Sequence, residues 1–310
     1  MSKKHKVRPD NLTALINEKN LLKAHNKQKP QKAAGIDGIT REIYDQNAVE
    51  NIIILADKIK DRNYVPQPVR FITCKKKNGG KRKIGIPAYE DRLVQSVMAD
   101  NLNYIYKAVF YDCSFSNRRG VNYNDALNYL ESIVTTKNIN YIFKTDIKDY
   151  NESINHKQLC EFLNIIIRDS SFLEYINKFL KTISGESDVY DENGLPQGSK
   201  LSGVLENIYM HYVFDDWLEN DLKKQCDGEI YFVRYVDDIL VLFQYKRDID
   251  KAVKLIENRF NNYNLNINNS KTEVIHVGKR KSYKTGFSFL GTYFIDYKAD
   301  GKHHFERKVI

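Results

Sequence analysis

Ile230-Tyr-Phe-Val-Arg-Tyr235 and Ile239-Leu-Val-Leu-Phe243 are two apolar runs separated only by Val236-Asp237-Asp238. Short runs rich in β-branched and aromatic residues, joined by so brief a connection, predict a β-hairpin. Two adjacent acids between apolar strands should be expelled to solvent unless something compensates them, because buried charge is costly. Neighbours in a strand point to opposite faces, but at a hairpin tip both can reach one region. A divalent metal would offset their mutual repulsion, since hard cations prefer carboxylate oxygens. Taken alone, the pair reads equally well as an ordinary Asp-Asp turn.

A second strand changes that balance. Tyr141-Ile-Phe-Lys-Thr-Asp146 is a short apolar run that ends in another carboxylate. If the two strands share a sheet, Asp146 lies beside the hairpin tip. Three acids at two strand ends suit a pair of Mg²⁺ ions roughly 4 Å apart, the arrangement that activates a hydroxyl nucleophile and stabilises departing pyrophosphate.

Outward from these strands the chain alternates helices and short antiparallel pairs. Tyr64 to Pro87 reads as a hairpin around the basic loop Lys75-Lys76-Lys77-Asn78-Gly79-Gly80-Lys81-Arg82-Lys83. Apolar spacing predicts helices over 11–26, 89–106, 157–167, 173–183, 201–218 and 249–260, with closing strands near 272–277 and 287–294. Helices mixed with local hairpins argue for α+β and against a doubly wound sheet.

Composition narrows the partner class. The 310 residues hold 49 Lys and Arg against 40 Asp and Glu, a net charge of +9, which suits a polyanion such as nucleic acid. Hydrophobic residues make up 42%, enough for a sizeable core and against disorder over most of the chain. Cys74, Cys113, Cys160 and Cys226 form no Cys-x-x-Cys pair, which excludes the common zinc spacings and a disulfide framework. A reducing cytoplasm is the expected compartment. No signal peptide or membrane-spanning run is apparent.

In ordered blocks from Asn20 to Phe294 the chain resembles bacterial reverse transcriptases of the group II intron type. The blocks are Ala34-Gly35-Ile36-Asp37-Gly38, Tyr64-Val-Pro-Gln-Pro-Val-Arg70, Gly85-Ile86-Pro87, Asp146-Ile-Lys-Asp-Tyr150, Leu195-Pro196-Gln197-Gly198-Ser199, Tyr235-Val236-Asp237-Asp238, Ser270-Lys271-Thr272 and Phe287-Ser-Phe289-Leu290-Gly291. The resemblance implies a right-hand polymerase: a fingers region with an N-terminal extension over 1–135, a palm with an antiparallel sheet over 136–300, and a tail over 301–310. With so few residues after Gly291, it also implies that the thumb is missing or vestigial, its place taken by a partner protein, an oligomer or a structured RNA.

The implied activity is RNA-directed DNA synthesis from dNTPs on an RNA template, giving a DNA product. The implied setting is a dedicated non-coding RNA, in antiphage defence. Asp146, Ile147, Asp237 and Asp238 would hold two Mg²⁺ ions, with Mn²⁺ able to substitute, and Lys271 would serve as general acid for the pyrophosphate. Lys76 and Arg82 would clamp the triphosphate, Gln197 and Gly198 would contact the nucleotide, and Tyr150 would stack under its sugar. Phe289, Leu290 and Gly291 would form a primer grip. Asn151 and Glu152 depart from the family pattern, in which aromatic and Asp residues stand at these places. Two other readings remain: template-independent or protein-primed DNA synthesis, and an inactive polymerase fold that binds RNA.

Overall fold

The structure is a computed structural model that describes residues 10–75, 79–182, 192–277, 285–299 and 302–309. Its first elements are α1 (Glu18–Asn26), α2 (Arg41–Tyr44), α3 (Ala48–Lys60), β1 (Arg70–Lys75), β2 (Lys81–Ile86) and α4 (Tyr89–Tyr106). There follow α5 (Tyr123–Thr136), β3 (Tyr141–Thr145), β4 (Ile147–Lys148), α6 (Tyr150–Ser153), α7 (His156–Asn164), α8 (Ser170–Lys181) and α9 (Lys200–Met210). Then come β5 (Ile230–Tyr235), β6 (Asp238–Phe243), α10 (Lys246–Asn261), β7 (Asn266–Ile267), β8 (Glu273–His276), β9 (Thr285–Phe289), β10 (Thr292–Ala299) and β11 (Lys302–Val309).

The chain divides into two compact units, neither of them continuous in sequence. A helical unit comprises Met1–Val109 and Asn151–Tyr209; a sheet unit comprises Phe110–Tyr150 and Met210–Ile310. In the helical unit, α1 packs against α3 and α4, and α7 against α8. Helix α4 buries Leu93, Val94, Val97, Met98 and Leu102, the stripe expected from its sequence spacing. β1 and β2 form a two-stranded antiparallel hairpin with Arg70 opposite Ile86 and Lys75 opposite Lys81.

The sheet unit is built on four antiparallel strands in the order β5-β6-β3-β8. Helix α5 presents Ala126, Leu127, Leu130, Ile133 and Val134 to Ile142, Val233, Leu240 and Leu242. Helix α10 covers β3 and β6, and the Phe260 ring stacks on Phe214, itself edge-on to Phe232. A sheet covered on both faces needs apolar side chains at every position, so β6 reads as an unbroken run. Three further antiparallel strands, β11-β10-β9, complete this unit.

Several expectations shift in detail. Phe287 to Phe294 is two strands, because Leu290 and Gly291 take positive φ angles of 49° and 70° and turn the chain in two residues. The helix expected over 201–218 gives way after Met210 to two π-helical turns, His211–Asp215 and Leu218–Leu222. The residues expected as a C-terminal tail form β11, which runs antiparallel to β10 from Lys302 opposite Ala299 to Val309 opposite Thr292.

Candidate active site

Strand register assembles the acids. β3 pairs with β6 so that Thr145 faces Ile239, and the next step of that register sets Asp146 across from Asp238. On the other edge of β6, Tyr235 faces Asp238, which leaves Val236 and Asp237 as the two-residue turn. Asp237 therefore leaves the tip while Asp238 opens the strand. Period-two alternation puts Lys144 and Asp146 on one face of β3, together with Asp238 on β6.

The electrostatics agree. Burial first, then the neighbouring Asp238 with Asp146 also contributing, pushes the Asp237 carboxyl up to about 6. Asp238 sits at the wall of a cleft, where partial desolvation and then Asp146 raise its carboxyl above the usual range. Lys271 donates to Asp146 Oδ2, and that bond raises its ammonium pKa. The cleft is about 340 Å³ in volume, and Lys144, Asp146, Asp238, Lys271 and Ser288 are among its lining residues. Lys144, which the sequence reading passed over, bonds Glu273 Oε1 at 2.8 Å and acts electrostatically on Asp238.

The donors suit a hard cation. Asp146 is 5% exposed, and its Oδ1 is buried with no hydrogen-bond partner. Such an oxygen is costly to leave unsatisfied, and a divalent ion would satisfy it. Among the described residues, no three His, Cys, Asp or Glu side chains are gathered closely enough to hold a metal as they stand; Lys271 is the cation that Asp146 now meets. Ile147 is buried and pairs with Ile267 in the short β4–β7 ladder, while Asn268 N–H bonds the Asp146 carbonyl at 2.9 Å. These two bonds fix the backbone that carries Asp146.

Tyr150 belongs to the sheet unit and is 2% exposed. Phe289 is buried, and Leu290 and Gly291 make the β9–β10 turn.

The helical unit gathers a second set of expected residues. Gln197 accepts from Arg82 Nε and donates through Nε2 to Asn151 Oδ1 at 3.0 Å, while Asn151 in turn donates to Glu206. Gly85 N–H bonds the Gln197 carbonyl at 2.9 Å, and a Cβ on Gly85 would fall 2.8 Å from both Pro196 and Val69. Gly198 has φ +106°, a conformation side chains rarely adopt, so this turn can lie against β2 only as glycine. Asn151 thus anchors Gln197. Lys76 lies outside the described residues. Beside this turn, a cleft of about 490 Å³ has Lys27, Lys32, Arg92 and Lys200 in its lining.

A buried charged residue also escaped the sequence reading. Arg234, within β5, is wholly buried and bonds both oxygens of Asp215, Ser114 Oγ and the Val236 carbonyl. An arginine inside an otherwise apolar strand, two residues before the acids, was the available signal.

The chain has counterparts among known proteins. Residues 74–294 match the family Reverse transcriptase (RNA-dependent DNA polymerase). The chain belongs to the reverse transcriptase family. Its relatives include the group II intron-encoded protein LtrA of Lactococcus lactis, 34% identical across 64% of this chain and 33% of LtrA. A 91 kDa protein of the cob intron of Schizosaccharomyces pombe is 32% identical across 69% of this chain and 26% of its own length. Protein YkfC of Escherichia coli is 24% identical across 83% and 74%. The chain thus spans about a quarter to a third of the intron proteins it matches. Among solved structures, telomerase from Candida albicans with a telomeric RNA fragment superposes at TM-score 0.54, 14% identity, over 75% of this chain and 46% of that one. A telomerase from Candida tropicalis superposes at 0.52, 17% identity, over 82% and 59%. The reverse transcriptase fold is therefore shared at low sequence identity. No described helix is long and apolar enough to cross a membrane.

Proposed function

We propose that this reverse transcriptase is an RNA-directed DNA polymerase that extends a primer with dNTPs on an RNA template. The observation that carries the reading is the β5-β6-β3 register, which brings Asp146, Asp237 and Asp238 to one end of the sheet in a chain of this family. In the reaction, a primer 3′-oxygen bonds to the α-phosphorus of the incoming nucleotide, the bond to the β-phosphate oxygen breaks, and pyrophosphate leaves. Two divalent cations would supply Lewis acidity and neutralise the developing charge. Asp146, Ile147, Asp237 and Asp238 would hold them. Lys271, which donates to Asp146 in this structure, would give a proton to the departing pyrophosphate.

In the helical unit, Arg82 is an exposed guanidinium on β2 that would meet phosphate oxygens, and the cleft lined by Lys27, Lys32, Arg92 and Lys200 would take a polyanion, Lys27 and Lys200 now sharing Asp100. Gln197, held by Asn151, would contact the nucleotide. Tyr150 would limit access of a ribose 2′-hydroxyl, and the β9–β10 turn at Leu290–Gly291 would meet the primer strand. We extend the proposal to a dedicated non-coding RNA as template in antiphage defence, on resemblance alone. Sequencing the nucleic acid that copurifies with the chain tests this, and an unselective mixture of cellular RNAs would sink it.

The central experiment supplies purified chain with a primed RNA, Mg²⁺ and either all four dNTPs or each one singly, with and without template. Full-length complementary DNA that Asp237→Asn abolishes is the expected result. Product from one dNTP without RNA would instead establish template-independent addition. RNA binding with no synthesis under any condition would establish the inactive RNA-binding reading.

A further inference from the structure

Arg234 is by volume the largest wholly buried side chain among the described residues. Its Nε and Nη2 donate to Asp215 Oδ1 and Oδ2 at 2.6 and 2.5 Å, and Nη2 also donates to Ser114 Oγ at 2.7 Å. The backbone is held as well: Arg234 N–H bonds the Cys113 carbonyl at 2.9 Å, and the Arg234 carbonyl accepts from Phe115 N–H at 3.0 Å. A forked ion pair of this kind explains how a guanidinium can lie inside an apolar strand. It leaves unexplained why the remaining nitrogen, Nη1, turns to the carbonyl of Val236 at 3.0 Å.

That carbonyl belongs to the turn. Val236 has φ 58°, a conformation that a β-branched residue adopts only when its surroundings impose it. The peptide bond is planar, so fixing the Val236 carbonyl also fixes the N–H of Asp237 on the opposite side of the same plane. The Cα of Asp237 lies in that same plane, so the plane's orientation sets the direction in which the Asp237 side chain leaves the backbone. One rigid unit therefore runs from the Asp215–Arg234 pair through the Val236 carbonyl to the Cα of Asp237.

The geometry points to Arg234 as a positioning residue that sets the peptide plane, and through it the carboxylate, of Asp237. The inference rests on the polymerase reading and names a residue that supports its site without touching substrate. Its alternative is a role in folding alone, and the two separate cleanly. A buried ion pair can be exchanged for an apolar pair with little loss of stability, but methionine at 234 has no donor for the Val236 carbonyl.

The test is the double variant R234M/D215L beside R234K, each measured for thermal unfolding, for kcat and KM on a primed RNA, and for Mn²⁺ binding by electron paramagnetic resonance. The double variant is expected to fold cooperatively, with kcat lowered about tenfold, KM for dNTP within about twofold of native, and Mn²⁺ bound about fivefold more weakly. R234K keeps the charge beside Asp215 but replaces the planar fork with one nitrogen, so a smaller fall in kcat, about threefold, is expected. Native kcat and native Mn²⁺ affinity in the folded double variant would overturn the inference. If that variant does not fold, the same native values in R234K overturn it. An inactive native chain would defeat the polymerase reading instead, and the Mn²⁺ titration would still decide the role of Arg234.

Discussion

β1–β2 and β5–β6 are both antiparallel hairpins with six residues in each strand, yet the chain surrounds them in opposite ways. In β5–β6 most side chains are buried, the turn is two residues, and a buried guanidinium holds that turn from within. In β1–β2 the tip carries Lys75, Lys81, Arg82 and Lys83 in solvent, with Arg82 reaching Gln197, and the base is tied down. There Asp91 accepts from the Tyr64 hydroxyl and from Gln67 N–H at 2.9 Å, linking the approach to β1 with the helix that follows β2. The anchors differ in kind: a guanidinium that stays charged at any ordinary pH, and a carboxyl that burial pushes up to about 7. A site that must hold charges at fixed positions would suit the covered hairpin. The open one can meet a mobile polyanion.

The comparison breaks most sharply at Asp237. Replacing it with Asn should lower kcat by roughly 10³-fold or more if the covered hairpin carries the reacting charges. The same substitution should raise stability by about 1–3 kcal/mol at pH 8, because the native carboxylate is partly desolvated and faces Asp238. Primer extension and urea unfolding measured on one preparation check both halves. A stability loss alongside the activity loss would mean that the turn depends on Asp237 for folding.

Next in size is Arg234→Met alone. It leaves Asp215 charged in a wholly buried place, and a loss of about 3–5 kcal/mol in unfolding free energy is expected. Partial recovery when Asp215→Leu is added would show that the loss belongs to the stranded charge. A change under about 1 kcal/mol for the single variant would mean that water reaches the site.

The open hairpin should instead answer to pH. Asp91 is raised in the folded state, first by burial and against the opposing bonds from Tyr64 and Gln67. The folded state therefore holds a proton that the unfolded chain releases near pH 4. Its contribution is fully present below that pH and is lost as pH rises through about 7. Between pH 5 and 8 the native chain should lose on the order of 2–4 kcal/mol relative to Asp91→Asn. Urea titrations of both proteins at the two pH values measure this, and parallel behaviour would rule out Asp91 as the titrating anchor.

The difference between the hairpins also explains what could be read from the sequence. The strands of β5 and β6 were legible almost to the residue, because a sheet covered on both faces leaves a continuous apolar run. The convergence of Asp146 with the tip was legible only as a conditional, since register is a tertiary fact. The break at Leu290–Gly291 was missed because leucine gives little signal for a positive φ. Helix α5 was overlooked although its signals are plain: Asn122 and Asp125 form a reciprocal cap, and Ala126, Leu127, Leu130, Ile133 and Val134 recur at helical spacing. β11 has no strong apolar pattern and owes its place to pairing with β10. Arg234 was visible as a misfit, but its partner Asp215 lies on a separate element that only folding brings near.

The smallest expected effect concerns the tip of the open hairpin. Arg82→Ala removes an exposed guanidinium whose contact in this structure is Gln197, so thermal stability should change by no more than about 0.5 kcal/mol. If the guanidinium instead serves a triphosphate, KM for dNTP should rise about tenfold while kcat falls less, since a charge-assisted bond to phosphate is lost from ground state and transition state alike. Arg82→Lys keeps the charge without the fork and should recover part of the loss. Gln197→Ala separates two explanations. If Arg82 acts only by fixing Gln197, both variants raise KM equally and the double variant raises it no further. If Arg82 meets phosphate itself, the double variant exceeds either single one. Equal KM values in all variants would leave the open hairpin without a nucleotide role and would confine the chemistry of this chain to the covered one.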